Sequence, residues 1–206
     1  ALPIFLNVHG DGLLPAMWNT PREMLSEKDK YRLIWQQESY RAFSPGEQAT
    51  EAFLSLVKPE GRVVDFGCGT GRAALTMARL GHDVLLIDFA DNCRDHEAIT
   101  LPFLEWDLTR PLPIREEYGF CADVMEHVPP ENVDTVLRNI MGAARRVFFQ
   151  ISTVPDQFGA LIQQTLHLTV RDAAWWRDTF TRLGFTMEWS DQNEIACRLL
   201  ISKETP

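Results

Sequence analysis

The chain has 206 residues, enough for one domain that buries roughly 70% of its unfolded surface and too few for two comfortable ones. Hydrophobic residues make up 45% and charged residues 24%, which excludes a disordered chain or a coiled coil; the net charge of -9, with no basic cluster denser than Arg145-Arg146, argues against free nucleic acid as a partner. Cys68, Cys93, Cys121 and Cys197 form no CxxC pair or zinc-type spacing, so no metal and a reducing, cytoplasmic compartment are expected, and no apolar run approaches the ~18 residues of a membrane span.

Residues 1–19, rich in Pro, Gly and Asn, predict an irregular arm with no basic leader. Thr20-Pro21-Arg22-Glu23 and Ser44-Pro45-Gly46-Glu47 each set a capping hydroxyl before a proline and a glutamate, predicting helices over roughly 21–41 and 45–57. A short apolar run over 62–66 predicts a strand that leads into a glycine-rich turn. Ala74, Leu75, Ala78 and Leu80 then share a helical stripe that Gly81 terminates. Further apolar bursts at 83–89, 103–108, 118–124, 145–152, 185–190 and 195–202 predict strands, and the segments 130–144 and 170–185 predict helices. Strands alternating with helices mean an α/β protein with a largely parallel sheet and helices on both faces.

The turn reads Val-Val-Asp-Phe-Gly-Cys-Gly-Thr-Gly-Arg over residues 63–72. In an open α/β sheet, ligands bind beyond the carboxyl ends of the strands, beside the first of them. Glycines at alternate positions let the backbone turn sharply and approach a ligand closely. A dinucleotide turn needs G-x-G-x-x-G, whereas here the third glycine is Gly71 and Arg72 follows; the Lys-Ser/Thr of a phosphate loop is absent too. Asp65 carries the wrong charge for a pyrophosphate and the right one for an ammonium. Asp88 ends the next strand, where a carboxylate accepts from both hydroxyls of a ribose, and Asp107 ends the third burst, where it could accept from an adenine amino group. S-adenosylmethionine combines an ammonium, a carboxylate, a ribose and an adenine with no phosphate.

With these residues in hand, the sequence resembles the class I S-adenosylmethionine-dependent methyltransferases, closely over Val63–Pro130 and loosely to the C-terminus. Val63–Gly71 is similar to that family's first motif, Asp88 to its ribose-binding acid, Asp107 to its adenine contact and Asp123–Pro129 to its fourth motif. The resemblance implies a Rossmann-like fold: a seven-stranded, mostly parallel sheet with an antiparallel last strand, helices on both faces and an N-terminal helical lid. It makes residues 1–206 a single methyltransferase domain, with 1–57 as arm and helices, 58–206 as the cofactor-binding core and an acceptor-site insertion around 153–172. It assigns Asp65, Gly67, Cys68, Gly69, Gly71, Asp88, Phe89, Asp107, Leu108 and Asp123 to S-adenosylmethionine, with Arg41 of the lid meeting its methionine carboxylate.

Methyl transfer needs alignment and dryness more than a dedicated base, unless the acceptor must lose a proton. Glu126 and His127, after the fourth strand, are expected to face the methyl, with His127 as base; the other reading has His127 and Asp123 hold the loop through backbone hydrogen bonds. His167, in the insertion, is either part of an acceptor pocket or an anchor for the turn. Tyr31, Trp35 and Tyr40 belong to a lid or to a stripe packed on the core. The chain lacks the D/N-P-P-aromatic tetrad of DNA amino-methyltransferases and the Pro-Cys of cytosine C5 enzymes, and its Asp91-Asn92 pair comes too early for a catechol-type metal site. A small-molecule acceptor is therefore expected, with a protein or nucleic-acid acceptor, or a non-catalytic cofactor-binding protein, as alternatives.

Overall fold

The computed structural model describes residues 25–203. Seven strands form one sheet: β1 (Val63–Phe66), β2 (Val84–Asp88), β3 (Phe103–Glu105), β4 (Glu116–Ala122), β5 (Ala144–Ser152), β6 (Thr186–Gln192) and β7 (Ala196–Ser202). Their order is β3-β2-β1-β4-β5-β7-β6, parallel except for β7, which runs antiparallel to both β5 and β6. β1 pairs with β2 on one side and β4 on the other, so the order reverses there and opens a crevice at the carboxyl ends of β1 and β4.

The described residues also form six α-helices: α1 (Glu27–Ile34), α2 (Glu38–Ala42), α3 (Pro45–Val57), α4 (Arg72–Arg79), α5 (Val133–Ala143) and α6 (Ala173–Arg182). Alternation along the strands divides the core in two. Val64 and Phe66 join Phe149 and Leu199 beneath Leu137 and Ile140 of α5 and Trp176 and Phe180 of α6. Val63, Phe120 and Phe148 instead pack under Phe53 of α3, Met77 of α4 and Ile34 of α1. Phe53, Phe120 and Phe148 touch pairwise with ring centroids 5.3–6.0 Å apart, and such aromatic pairs add about 0.5–1.5 kcal/mol each beyond area burial.

The helix expected over 21–41 is two short helices, and the Thr20–Glu23 start signal and the arm lie outside the described residues. Ser26 caps α1 by accepting from the Asp29 amide at 3.2 Å. The helix ends at Trp35, whose carbonyl accepts from the Arg41 guanidinium at 3.2 Å, and the chain is extended at Gln37 before α2. β3 stops at Glu105 instead of 108 because Asp107 turns the chain, its carboxylate accepting from the amide and hydroxyl of Thr109 at 2.8 Å. β4 ends at Ala122, not 124, because Asp123 adopts the left-handed φ of 55°.

Candidate active site

The turn between β1 and α4 holds Gly67, Gly69 and Gly71 at φ values of 70°, 50° and 76°. A Cβ on Gly67 would collide with the Val124 side chain, and one on Gly71 would stand 2.7 Å from Ala98, so glycine is required for shape as well as for φ. Asp88, at the end of β2, clamps the turn: Oδ2 accepts from the Gly69 amide at 3.0 Å and Oδ1 from the Ala90 amide at 2.9 Å. Burial pushes its carboxyl up to about 6, although the amides of Ala90, Gly69 and Phe89 oppose the shift. Asp65 lies buried in β1 under the same turn; burial, then the charge of Asp88, push it up to about 7, and its Oδ2 is buried without a hydrogen-bond partner. Cys68, also buried, clusters with Asp88 and Cys93.

α1 and α2 lie over this turn. A Cβ on Gly69 would meet the Trp35 ring at 3.0 Å, and Trp35 in turn packs on Tyr40 with centroids 4.7 Å apart. Tyr31 reaches Phe89 and His127, each at 5.5 Å between centroids. The helices are tied down by Arg32 on Asp91 at 3.0 Å, by Lys28 on Glu105 and by Lys30 on the Thr165 carbonyl at 3.0 Å. Tyr31 and Trp35 thus both bury apolar surface and cover the turn, and the Tyr31 hydroxyl and Trp35 Nε1 are buried donors with no partner.

Arg41, expected at a methionine carboxylate, is committed elsewhere. It pairs with Asp95 at 2.6 Å and donates to the carbonyls of Trp35 and Asn92, so it fastens α2 to the loop after β2. Gly71 likewise serves the seating of α4 on Ala98. Asp107 is exposed at the rim, and the Leu108 carbonyl accepts from the Asn139 side chain at 2.9 Å. A cavity of about 400 Å³ beside α4 is lined by Arg72, Arg79, Asp95 and Glu97, charges already paired as Arg72 with Asp95 and Arg79 with Glu97.

Past β4, the Asp123 amide donates to the Gln150 carbonyl at 2.8 Å and its Oδ2 accepts from Gln150 Nε2 at 2.7 Å, while Arg198 Nε donates to Gln150 Oε1 at 2.9 Å. This Arg198–Gln150–Asp123 relay escaped the sequence reading, because Gln150 and Arg198 sit singly inside apolar strands and carry no motif. Glu126 does not face an acceptor: it is fully buried, Oε1 accepts from the Ser152 amide at 3.1 Å, and its carbonyl accepts from Leu168 and Thr169. Burial, then Asp123, push its carboxyl well up. His127 Nδ1 contacts the Leu166 carbonyl at 3.1 Å, and burial, reinforced by His167, pushes its pKa down to about 3. A histidine this weakly basic is a poor proton acceptor at neutral pH, against the expectation of a base and in keeping with the loop-holding alternative. His167 Nδ1 lies 2.7 Å from the Val154 carbonyl, and its ring stands edge-on to His127 at 4.7 Å.

A glycine turn at the switch point, an acid ending β2 and a sheet of order 3-2-1-4-5-7-6 define the class I methyltransferase fold. Residues 63–146 match the family model of a methyltransferase domain. The chain thus has the class I methyltransferase fold, with the match to the methyltransferase-domain family running from β1 to the start of β5. Its fold is similar to that of magnesium protoporphyrin IX methyltransferase from Synechocystis PCC 6803 with bound S-adenosylhomocysteine, at TM-score 0.63 and 18% identity over 85% of this chain and 94% of that one. It is also similar to Burkholderia thailandensis 1,6-didemethyltoxoflavin-N1-methyltransferase, at TM-score 0.66 and 13% identity over 90% and 94% of the two chains. A third likeness is to DhpI in complex with S-adenosylhomocysteine, at TM-score 0.67 and 19% identity over 85% and 94%. No curated protein sequence matches the chain. Among the described residues, no helix is long and apolar enough to cross a membrane.

Proposed function

We propose that this protein transfers the methyl group of S-adenosylmethionine to a small-molecule acceptor. The cover of α1 and α2 over the glycine turn carries the reading: aromatic side chains overlie the turn, and ion pairs to Asp91, Asp95 and Glu105 hold the cover in place. Such a closed crevice suits a small acceptor better than a macromolecule. The relatives named above for a porphyrin and a toxoflavin precursor support the same reading.

The residues fit the cofactor. Each oxygen of Asp88 accepts one amide in this structure and retains a lone pair for a ribose hydroxyl. The unpartnered Oδ2 of Asp65 offers an acceptor beneath the turn, and a cationic ligand there would favour the charged form that burial disfavours. With Arg41 engaged, the Tyr31 hydroxyl and Trp35 Nε1 are buried donors available to the carboxylate. Asp107 and Leu108, just past β3, are the residues we assign to the adenine, and Val124 closes against Gly67. S-adenosylmethionine supplies the activated methyl; the protein orients it and excludes water, contributions that reach about 7–11 kcal/mol in well-aligned systems. Incubation with methyl-labelled cofactor and fractionated lysate tests the acceptor class. Label should enter the small-molecule fraction; label confined to protein or nucleic acid would overturn this reading.

A further inference from the structure

Beyond β4, two histidines and a glutamate converge from two segments. Glu126, His127 and His167 each place one ligand atom within 4.8 Å of the other two. The segments are stitched together, with the amides of Leu168 and Thr169 donating to the Glu126 carbonyl at 2.8 and 2.9 Å and the Thr169 hydroxyl to the Val128 carbonyl at 2.6 Å.

Four features of this cluster point to a cation. Both imidazoles set Nδ1 against a backbone carbonyl, His127 against Leu166 and His167 against Val154. That contact places the ring hydrogen on Nδ1 and leaves the Nε2 lone pair free, the second-shell arrangement typical of metal-binding histidines. Glu126 spends Oε1 on the Ser152 amide, and its buried Oε2 has only the neighbouring Asp123 carboxyl to share a proton with. The Asp123 carboxyl lies beside it and brings a further acceptor, and the neighbouring Lys30 ammonium is engaged by Glu27 and the Thr165 carbonyl. Glu126 is buried while both histidines are partly exposed, so the cluster has a closed floor and an open side.

We propose that Glu126, His127 and His167 form a binding site for one divalent first-row transition-metal ion, with Asp123 as the adjacent carboxylate. Two nitrogen donors beside carboxylate oxygen suit manganese, iron or zinc better than magnesium or calcium. Tyr31 bridges His127 to Phe89, which places the cluster one ring away from the residue following Asp88. Resting on the methyltransferase reading, the site suits an acceptor with a hydroxyl or phenol oxygen. The cation favours loss of that oxygen's proton to solvent, and the oxygen's electron pair forms the new O–CH3 bond as the CH3–S bond breaks.

The test is titration of metal-free full chain with Mn²⁺, followed through the electron paramagnetic resonance signal of the free ion. Manganese disfavours the thiols of the Cys68–Cys93 cluster. Wild type should take up one ion per chain, and His167→Ala and Glu126→Gln should each weaken uptake at least tenfold. Cys93→Ala should bind as wild type does. Retained S-adenosylhomocysteine binding by His167→Ala, whose histidine is partly exposed, shows that this variant is folded. Wild type that leaves Mn²⁺ free, or His167→Ala that binds it as tightly as wild type, overturns the site. Binding of S-adenosylhomocysteine without Mn²⁺ overturns the metal site alone; binding of Mn²⁺ without S-adenosylhomocysteine upholds the site and contradicts the proposed function.

Discussion

The indole of Trp35 rests on Gly69 so closely that a methyl group on the glycine would meet the ring at 3.0 Å. A side chain from the first helix therefore covers the backbone that Asp88 holds from below. If that cover retains the cofactor, Trp35→Ala should weaken S-adenosylhomocysteine binding about tenfold, mainly through faster dissociation. Stability should fall by only about 1–2 kcal/mol, since the ring is partly exposed and its main loss is the Tyr40 contact. Stopped-flow dissociation alongside urea unfolding separates the two effects.

Arg41 provides the contrast. Its guanidinium is held by Asp95 and two carbonyls, so Arg41→Ala should lower stability by about 1 kcal/mol and change cofactor affinity less than Trp35→Ala does. A larger loss of affinity than of stability would restore Arg41 to the binding site.

Glycine substitutions should separate space from backbone conformation. Gly67→Ala meets both a φ of 70° and the Val124 side chain, and should cost about 3 kcal/mol or more in urea unfolding. Gly81→Ala has a φ of 93° with open space around it and should cost about 1–2 kcal/mol. Equal costs would show that Val124 yields freely.

Burial sets the direction of a pH dependence. Asp88 and Asp65 hold their protons up to about 6 and about 7, well above the unfolded value of 3.8. Between those limits the folded chain binds more protons than the unfolded one, so these two groups favour the unliganded fold at low pH and their contribution is lost as pH rises through 6 to 7. Cofactor binding calls on the charged forms and should run oppositely. Affinity for S-adenosylhomocysteine should drop several-fold from about pH 8 to about pH 5.5. Asp88→Asn should bind weakly with a shallower pH profile, and calorimetry at the two pH values checks both.

What was legible in the sequence was local. The Gly67–Gly71 turn, Asp88 at a strand end and α3 from its Ser44-Pro45 start each follow from short-range backbone physics, and the structure sets Asp65, Gly67, Gly69 and Asp88 around one turn. The break between α1 and α2 was not legible, because it depends on Arg41 capturing the Trp35 carbonyl and on Trp35 docking against Gly69, a partner distant in sequence. Gln150 and Arg198 were invisible for a similar reason: a lone polar residue in an apolar strand acquires meaning only from Asp123 on the neighbouring strand's exit. Glu126 and His127 were noticed, but their burial and the approach of His167 come from the insertion folding back onto the end of β4.

Isothermal titration of the full chain with S-adenosylhomocysteine, with NAD and ATP as controls, tests the central claim most directly. One S-adenosylhomocysteine should bind per chain, at least tenfold more weakly to Asp88→Ala, with no detectable heat from either control. A wild-type chain that binds neither S-adenosylhomocysteine nor S-adenosylmethionine, or that prefers a phosphate-bearing nucleotide, would contradict the account.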